Sequence, residues 1–149
     1  MKYVWVSICL LVVVVVGSIF VIGPENNSRN EININDIAQK VDIPNKNILI
    51  PSKYKVKNVY LHDNDFVSTW VQVIMSKKVK IYIYTSDDLK NKDSEYINKE
   101  KINNSNVKKY KTKSGKLEYV FKQNSLIYLY RFSPSEKDII DQYLKRNLN

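Results

Sequence analysis

Between Lys55 and Phe132, apolar and polar residues alternate largely with a period of two, the spacing of strands that bury one face. Strands are predicted at 55–61, 66–75 and 79–85, separated by turns at His62-Asp63-Asn64-Asp65 and Ser76-Lys77-Lys78. Counting outward from the second turn sets Met75 opposite Val79, Val73 opposite Ile81 and Val71 opposite Ile83, an all-apolar face. Three more strands follow at 107–113, 116–123 and 126–132, joined by two-residue turns at Ser114-Gly115 and Asn124-Ser125. These turns pair Tyr110 with Tyr119, Tyr119 with Tyr130, Phe121 with Tyr128 and Leu117 with Phe132. The result is an aromatic face, with Lys111, Glu118 and Arg131 as a charge row turned to water on the other side.

The period changes at both ends. Ser133-Pro134-Ser135-Glu136 offers a cap, a proline at the first helical position and a glutamate three residues beyond the cap. Ile139, Ile140, Tyr143, Leu144 and Leu148 then form one helical stripe, whose natural partner is the aromatic face. Near the start of the domain, Asn35 or Asp36 caps a short helix through Val41, with Ile37 and Val41 on one side and Pro44 as its stop. Residues 86–106 follow neither period. They read as an irregular excursion and a candidate functional loop, with Asp87, Asp88 and Tyr96 as its notable residues. The predicted fold is α+β: a six-stranded antiparallel meander sheet with a C-terminal amphipathic helix packed on one face.

Ahead of the domain, Val4 to Ile22 runs for 19 residues without a charge. As a helix it spans about the 30 Å of a bilayer's hydrocarbon core. The run is longer than a signal-peptide centre, lacks an Ala-x-Ala site and is followed by Gly23-Pro24, so an uncleaved anchor is expected. The division is then 1–23 transmembrane anchor, 24–34 juxtamembrane linker and 35–149 domain. Lys2 before the run favours an inside N-terminus, placing the domain outside the cytoplasm at the cell membrane.

Charge enters here. The chain has 24 Lys and Arg against 15 acidic residues, net +9, and all but Lys2 of the cations follow the apolar run. Outside a cell the counterparts of such a charge are anionic lipid or a wall polymer, the alternative being lysines that only solvate the surface. A protein partner in the envelope is expected, and nucleic acid is not. Lys108, Lys109, Lys111 and Lys113 interleave with Tyr110 on one strand, a candidate anion or partner surface. Catalytic chemistry is thin. His62 is the single histidine, so no His pair or triad exists, and His62 with Asp63 and Asp65 is a turn before it is a metal site. Ser52 to Lys55 and Ser105 to Lys108 match Ser-x-x-Lys without a helical setting or a Lys-Thr-Gly, and Asp87, Asp88, Asp93 and Glu95 lack an apolar wall. Glycine is too scarce for a phosphate-cradling loop, and no cofactor or metal is expected.

An anchor, a short helix and Ile50-Pro51-Ser52-Lys53-Tyr54-Lys55-Val56 lead into the strands. The chain closes through Gly115-Lys116-Leu117-Glu118-Tyr119-Val120-Phe121, Ile127-Tyr128-Leu129-Tyr130 and an amphipathic helix. This layout resembles a firmicute membrane-anchored extracytoplasmic domain family of unknown function, found in the outer parts of some anti-sigma-factor-like and sporulation-linked proteins. That family is in turn distantly similar in fold to LolA-like half-barrels. Ser52-Lys53-Tyr54 stands where the family usually has Pro-Gly-Tyr, and Tyr119-Val120-Phe121 where a tryptophan is common. The resemblance implies no catalytic residues. The expected function is a non-enzymatic, single-pass binding or sensing domain acting through a protein partner. A lipid or lipoprotein carrier is the alternative, and a hydrolase is a remote third. An open apolar trough lined by Val71, Val73, Ile81 and Ile83 is what would favour the carrier.

Overall fold

A computed structural model describes residues 28–41, 48–64, 67–85 and 93–148. The expected anchor at residues 4–22, and Asp65, Asp87 and Asp88, lie outside the described residues. Among the described residues no helix is long and apolar enough to cross a membrane.

The strands are β1 (Ser28–Glu31), β2 (Val56–Asn64), β3 (Val67–Met75), β4 (Lys80–Tyr84), β5 (Ser94–Ile102), β6 (Ser105–Thr112), β7 (Leu117–Gln123) and β8 (Leu126–Phe132). They form a single antiparallel sheet of eight strands in the order β1-β2-β3-β4-β8-β7-β6-β5. The six-stranded meander is thus corrected in two ways. Two strands are added, β1 inside the stretch expected as a linker and β5 inside the expected loop. The sheet is also two four-stranded meanders joined through β4 and β8, so 79–85 lies beside 126–132 and not beside 107–113.

Burial explains the choice. Pairing β4 with β8 puts Ile81 against Tyr130 and Ile83 against Tyr128, all four fully buried. The most apolar strands thereby take the centre, where both backbone edges are hydrogen-bonded. The charge-rich β5 and the polar four-residue β1 take the edges, where lysines and short length suit a solvated rim.

The valine-rich register is as expected, with Val71 opposite Ile83 and Val73 opposite Ile81. So are Tyr119 with Tyr130, Phe121 with Tyr128 and Leu117 with Phe132. The turn before β7 differs. Thr112 N donates to Lys116 O at 2.9 Å and Gly115 N to Thr112 O at 2.9 Å, closing a three-residue turn with Gly115 at φ +77°. The extra residue shifts β6 by one position, and a one-residue slip moves every side chain to the opposite face. Tyr110 therefore faces Glu118, and Lys109 faces Tyr119. The expected water-facing row is corrected too: Glu118 is fully buried and ion-paired with Arg131, while Lys111 stands opposite Leu117 on the other face.

The C-terminal helix starts with a 3-10 turn, Pro134–Glu136, and continues with a longer α-helical stretch. The short helix near the start of the domain is α1 (Ile37–Lys40), and this longer one is α2 (Lys137–Asn147). In α2 and at its end Ile140, Leu144 and Leu148 are buried in one cluster with Tyr119, Tyr130, Phe132 and the valine hairpin. Each such side chain stabilises by roughly 1.5–3 kcal/mol. Asn103 in the β5–β6 turn donates to Lys145 O at 3.0 Å and Leu148 O at 2.7 Å, holding the last carbonyls of the helix. The expected capping box does not form: Ser133 makes no side-chain cap, and Glu136 turns inward to accept from Tyr54 Oη at 2.9 Å.

A strap at 48–54 covers more of the same face. Tyr130 Oη donates to Leu49 O at 2.6 Å, and Leu49 N donates to Tyr128 Oη at 3.4 Å, so the core tyrosines hold this backbone on both of its polar groups. Burial pushes both phenols above their ordinary pKa, Tyr130 furthest. Ahead of the strap, α1 and the residue after it bury Ile37, Ala38 and Val41. The expected cap at Asn35 or Asp36 does not form; Asn33 Oδ1 instead accepts from Asn35 N at 3.0 Å to cap a 3-10 turn, Ile34–Asp36, that leads into α1.

Candidate functional site

The β5–β6 hairpin gathers most of the residues that sequence alone singled out. Strand alternation puts Lys108 on the face opposite Lys109 and Lys111, so the four lysines of 108–113 do not form one surface, and the register shift turns Lys109 inward. Lys109 points to the helix side and is only 8% exposed. Its ammonium pairs with Glu100, lies 3.9 Å from Asp141 Oδ1 and sits 4.6 Å from the centre of the Tyr119 ring. Asp141 in turn accepts from Lys137 at 2.7 Å. Lys109 is therefore a neutralised tie between β5, β6, β7 and α2 and has no charge to spare for a ligand. Burial, with the charge of Asp141 beside it, raises the Tyr119 hydroxyl's pKa well above the usual phenol range.

Lys108 is exposed on the opposite face, next to Lys99 across the strand pair. Lys111 and Lys113 are exposed and line a polar recess of about 470 Å³ with Asp93, Ser94, Glu95 and Thr112. With both signs of charge on its walls, the recess favours neither anion nor cation. Tyr96 is 55% exposed and its neighbour Ile97 49%, the latter at the bulge between Tyr96 and Asn98. Tyr96 rests edge-on against Tyr110, ring centres 5.5 Å apart, which fixes its direction without burying it. Among the described residues β5 is paired on one side only, to β6.

The Ser-x-x-Lys pairs carry no dyad geometry. Ser105 Oγ is buried and donates to Gln123 at 3.2 Å, while Lys108 projects from the opposite side of the strand, as residues three apart on a strand do. Ser52 and Lys55 are exposed. Among the described residues no group of three or more His, Cys, Asp or Glu side chains is placed to hold a metal ion.

A second surface escaped the sequence reading. The sheet face away from α2 carries His62, Trp70, Tyr82 and Tyr84 in adjoining strands. His62 stacks on Trp70 at 3.6 Å, and Trp70 lies 5.7 Å from Tyr84. Arg29 covers the Tyr60 ring at 3.7 Å and Arg131 the Tyr82 ring at 5.4 Å. Burial, then the charge of Arg29, lowers the His62 pKa from its ordinary 6.5, and burial raises Tyr84 to about 12. His62 lies within β2, not in a turn. The missed signal was the second half of the alternation: Trp70, Gln72 and Ile74 between the valines of β3, and Tyr82 and Tyr84 between the isoleucines of β4.

Val71, Val73, Ile81 and Ile83 are each 0% exposed. Comparison of the chain with protein-family models, with characterised proteins and with solved structures returns no match.

Proposed function

We propose that this chain is a single-pass, membrane-anchored binding or sensing domain without catalytic activity, displayed on the extracytoplasmic side and acting through a protein partner. The observation that carries the reading is at β5. Tyr96 and Ile97 stand out from an edge strand whose outer backbone groups have no neighbouring strand among the described residues. Aromatic and aliphatic residues beside free strand hydrogen-bonding groups are what an extended partner segment uses for affinity and selectivity. The charge-free run at residues 4–22 and the layout resembling firmicute extracytoplasmic domains support the anchored, outward placement.

Support for binding over carrying comes from the core. A carrier exposes an apolar concavity to its cargo, whereas the residues that would line it, Val71, Val73, Ile81 and Ile83, lie fully buried under the strap and helices.

A photo-crosslinking residue at position 97, in the full chain in its native membranes, should trap one discrete protein, and the same residue at position 145 on α2 should not. Equal trapping from both positions, or from neither, would remove the β5 edge as the partner surface. Protease added to intact, wall-stripped cells should digest the domain; digestion only after lysis would reverse the placement.

A further inference from the structure

The face of the sheet opposite α2 is basic as well as aromatic. By strand register it carries Arg29, Lys80, Lys99, Lys108, Lys122 and Arg131. Among the described residues its carboxylates are Glu31 and Glu118, and both are engaged. Glu118 is fully buried against Arg131 and accepts from Ser94 Oγ at 2.6 Å, and Glu31 accepts from Asn58 Nδ2 at 2.9 Å. Six cations against two carboxylates leave an excess of positive charge for an outside anion to meet. The helix side differs, since Glu100, Glu136 and Asp141 balance Lys109, Lys77 and Lys137.

Chain length adds the second argument. β1, which supplies Arg29 to this face, begins at Ser28, six residues after Ile22 ends the apolar run. Six steps of extended chain reach about 20 Å at most. If the run spans a bilayer, this edge of the sheet is held within that distance of the headgroups. At such a range, clustered Lys and Arg next to half-buried Trp and Tyr meet what suits them, anionic headgroups and a polar–apolar boundary. We infer that the basic aromatic face, with Arg29, Trp70, Tyr84 and Lys108, docks on the anionic lipid surface of the membrane that holds the chain. The inference rests on the anchored reading. Tyr96 shares the docking face through its contact with Tyr110, while Ile97 and the outer backbone edge of β5, seven strands from β1, stay open to a partner.

Trp5 and Trp70 are the two tryptophans, so in Trp5→Phe only Trp70 fluoresces. The full chain with that change is reconstituted into vesicles of phosphatidylcholine, alone or mixed with phosphatidylglycerol, each with a headgroup spin label. Trp70 should be quenched more in the anionic vesicles, and the excess should fade as salt screens the charges. Arg29→Gln with Lys108→Gln should lower the ratio of docked to free domain by about 30-fold, at roughly 1 kcal/mol per charge. The equally charged change Lys145→Gln with Arg146→Gln on α2 should leave it unaltered.

Equal quenching in neutral and anionic vesicles overturns the inference, as does an equal effect of the two double variants. Quenching absent on lipid, with Trp70 fluorescence instead responding to soluble polyglycerol phosphate, assigns the face to a wall polymer and overturns the lipid reading. Flotation with neutral vesicles reports the anchor separately. A chain that does not float loses the anchored reading and this inference with it, while one that floats without a charge-dependent signal loses only the inference.

Discussion

Leu144→Ala measures how firmly the C-terminal helix closes the core. Leu144 is 0% exposed and belongs to the cluster that contains Tyr119, Tyr130 and Phe132, none more than 1% exposed. Truncating a buried leucine costs about 2–5 kcal/mol, depending on how far the surroundings collapse into the space. Collapse is resisted here: Tyr119 and Phe132 are locked edge-to-face at 4.9 Å, and Tyr130 is tied to the Leu49 backbone at 2.6 Å. The loss should fall in the upper half of the range, about 4 kcal/mol, which for a domain of this size lowers Tm by about 15 °C. Thermal unfolding of the full chain in mild detergent, followed by near-ultraviolet circular dichroism of the tyrosines, reads the shift. Lys145→Ala, exposed one residue along the helix, should stay within about 0.5 kcal/mol. A loss below about 1 kcal/mol at Leu144 would mean that α2 is not packed on this sheet.

Ser133→Ala should change stability by less than about 0.5 kcal/mol because its side chain caps nothing, whereas Tyr54→Phe should cost about 1–3 kcal/mol by removing the donor to buried Glu136. The reverse order in urea midpoints would restore the capping box. Arg131→Met strands the fully buried Glu118 and should cost about 3 kcal/mol, and adding Glu118→Leu should recover most of that. Strict additivity of the two changes would show that the pair is not coupled. The lowered pKa of His62 means that the fold holds its neutral form, so its contribution is full above the unfolded value of about 6.5 and is lost as pH falls toward the folded one. Between about pH 7.5 and 5.5, His62→Gln should therefore lose less stability than the parent chain. An equal loss in both would trace the pH dependence to other groups.

Local chemistry was written plainly along the chain. The valine hairpin, the Asn124-Ser125 turn with both residues at positive φ, the β7–β8 pairing and the helical stripe were all legible, because each depends on residues a few positions apart. The Lys113-Ser114-Gly115 turn shows how little separates success from error: one extra residue before Gly115 sent Lys109 inward and Tyr110 outward. That slip created the buried Lys109 tie, whereas the expected lysine surface is split in any register because neighbouring strand residues point to opposite faces. β1 and β5 left no periodic trace because edge strands bury little, and of β5's nine residues only Ile102 is buried.

What the tertiary structure alone decided is which strands meet. The sequence by itself determined an apolar run, a set of amphipathic strands and a stripe needing a cover. It did not determine that β4 would pair with β8 across more than forty residues, since pairing between distant strands depends on how whole faces bury together and not on any local pattern. The same choice brought the tryptophan, tyrosines and arginines of separate strands onto one basic face, and put Tyr96 and Ile97 at a free edge.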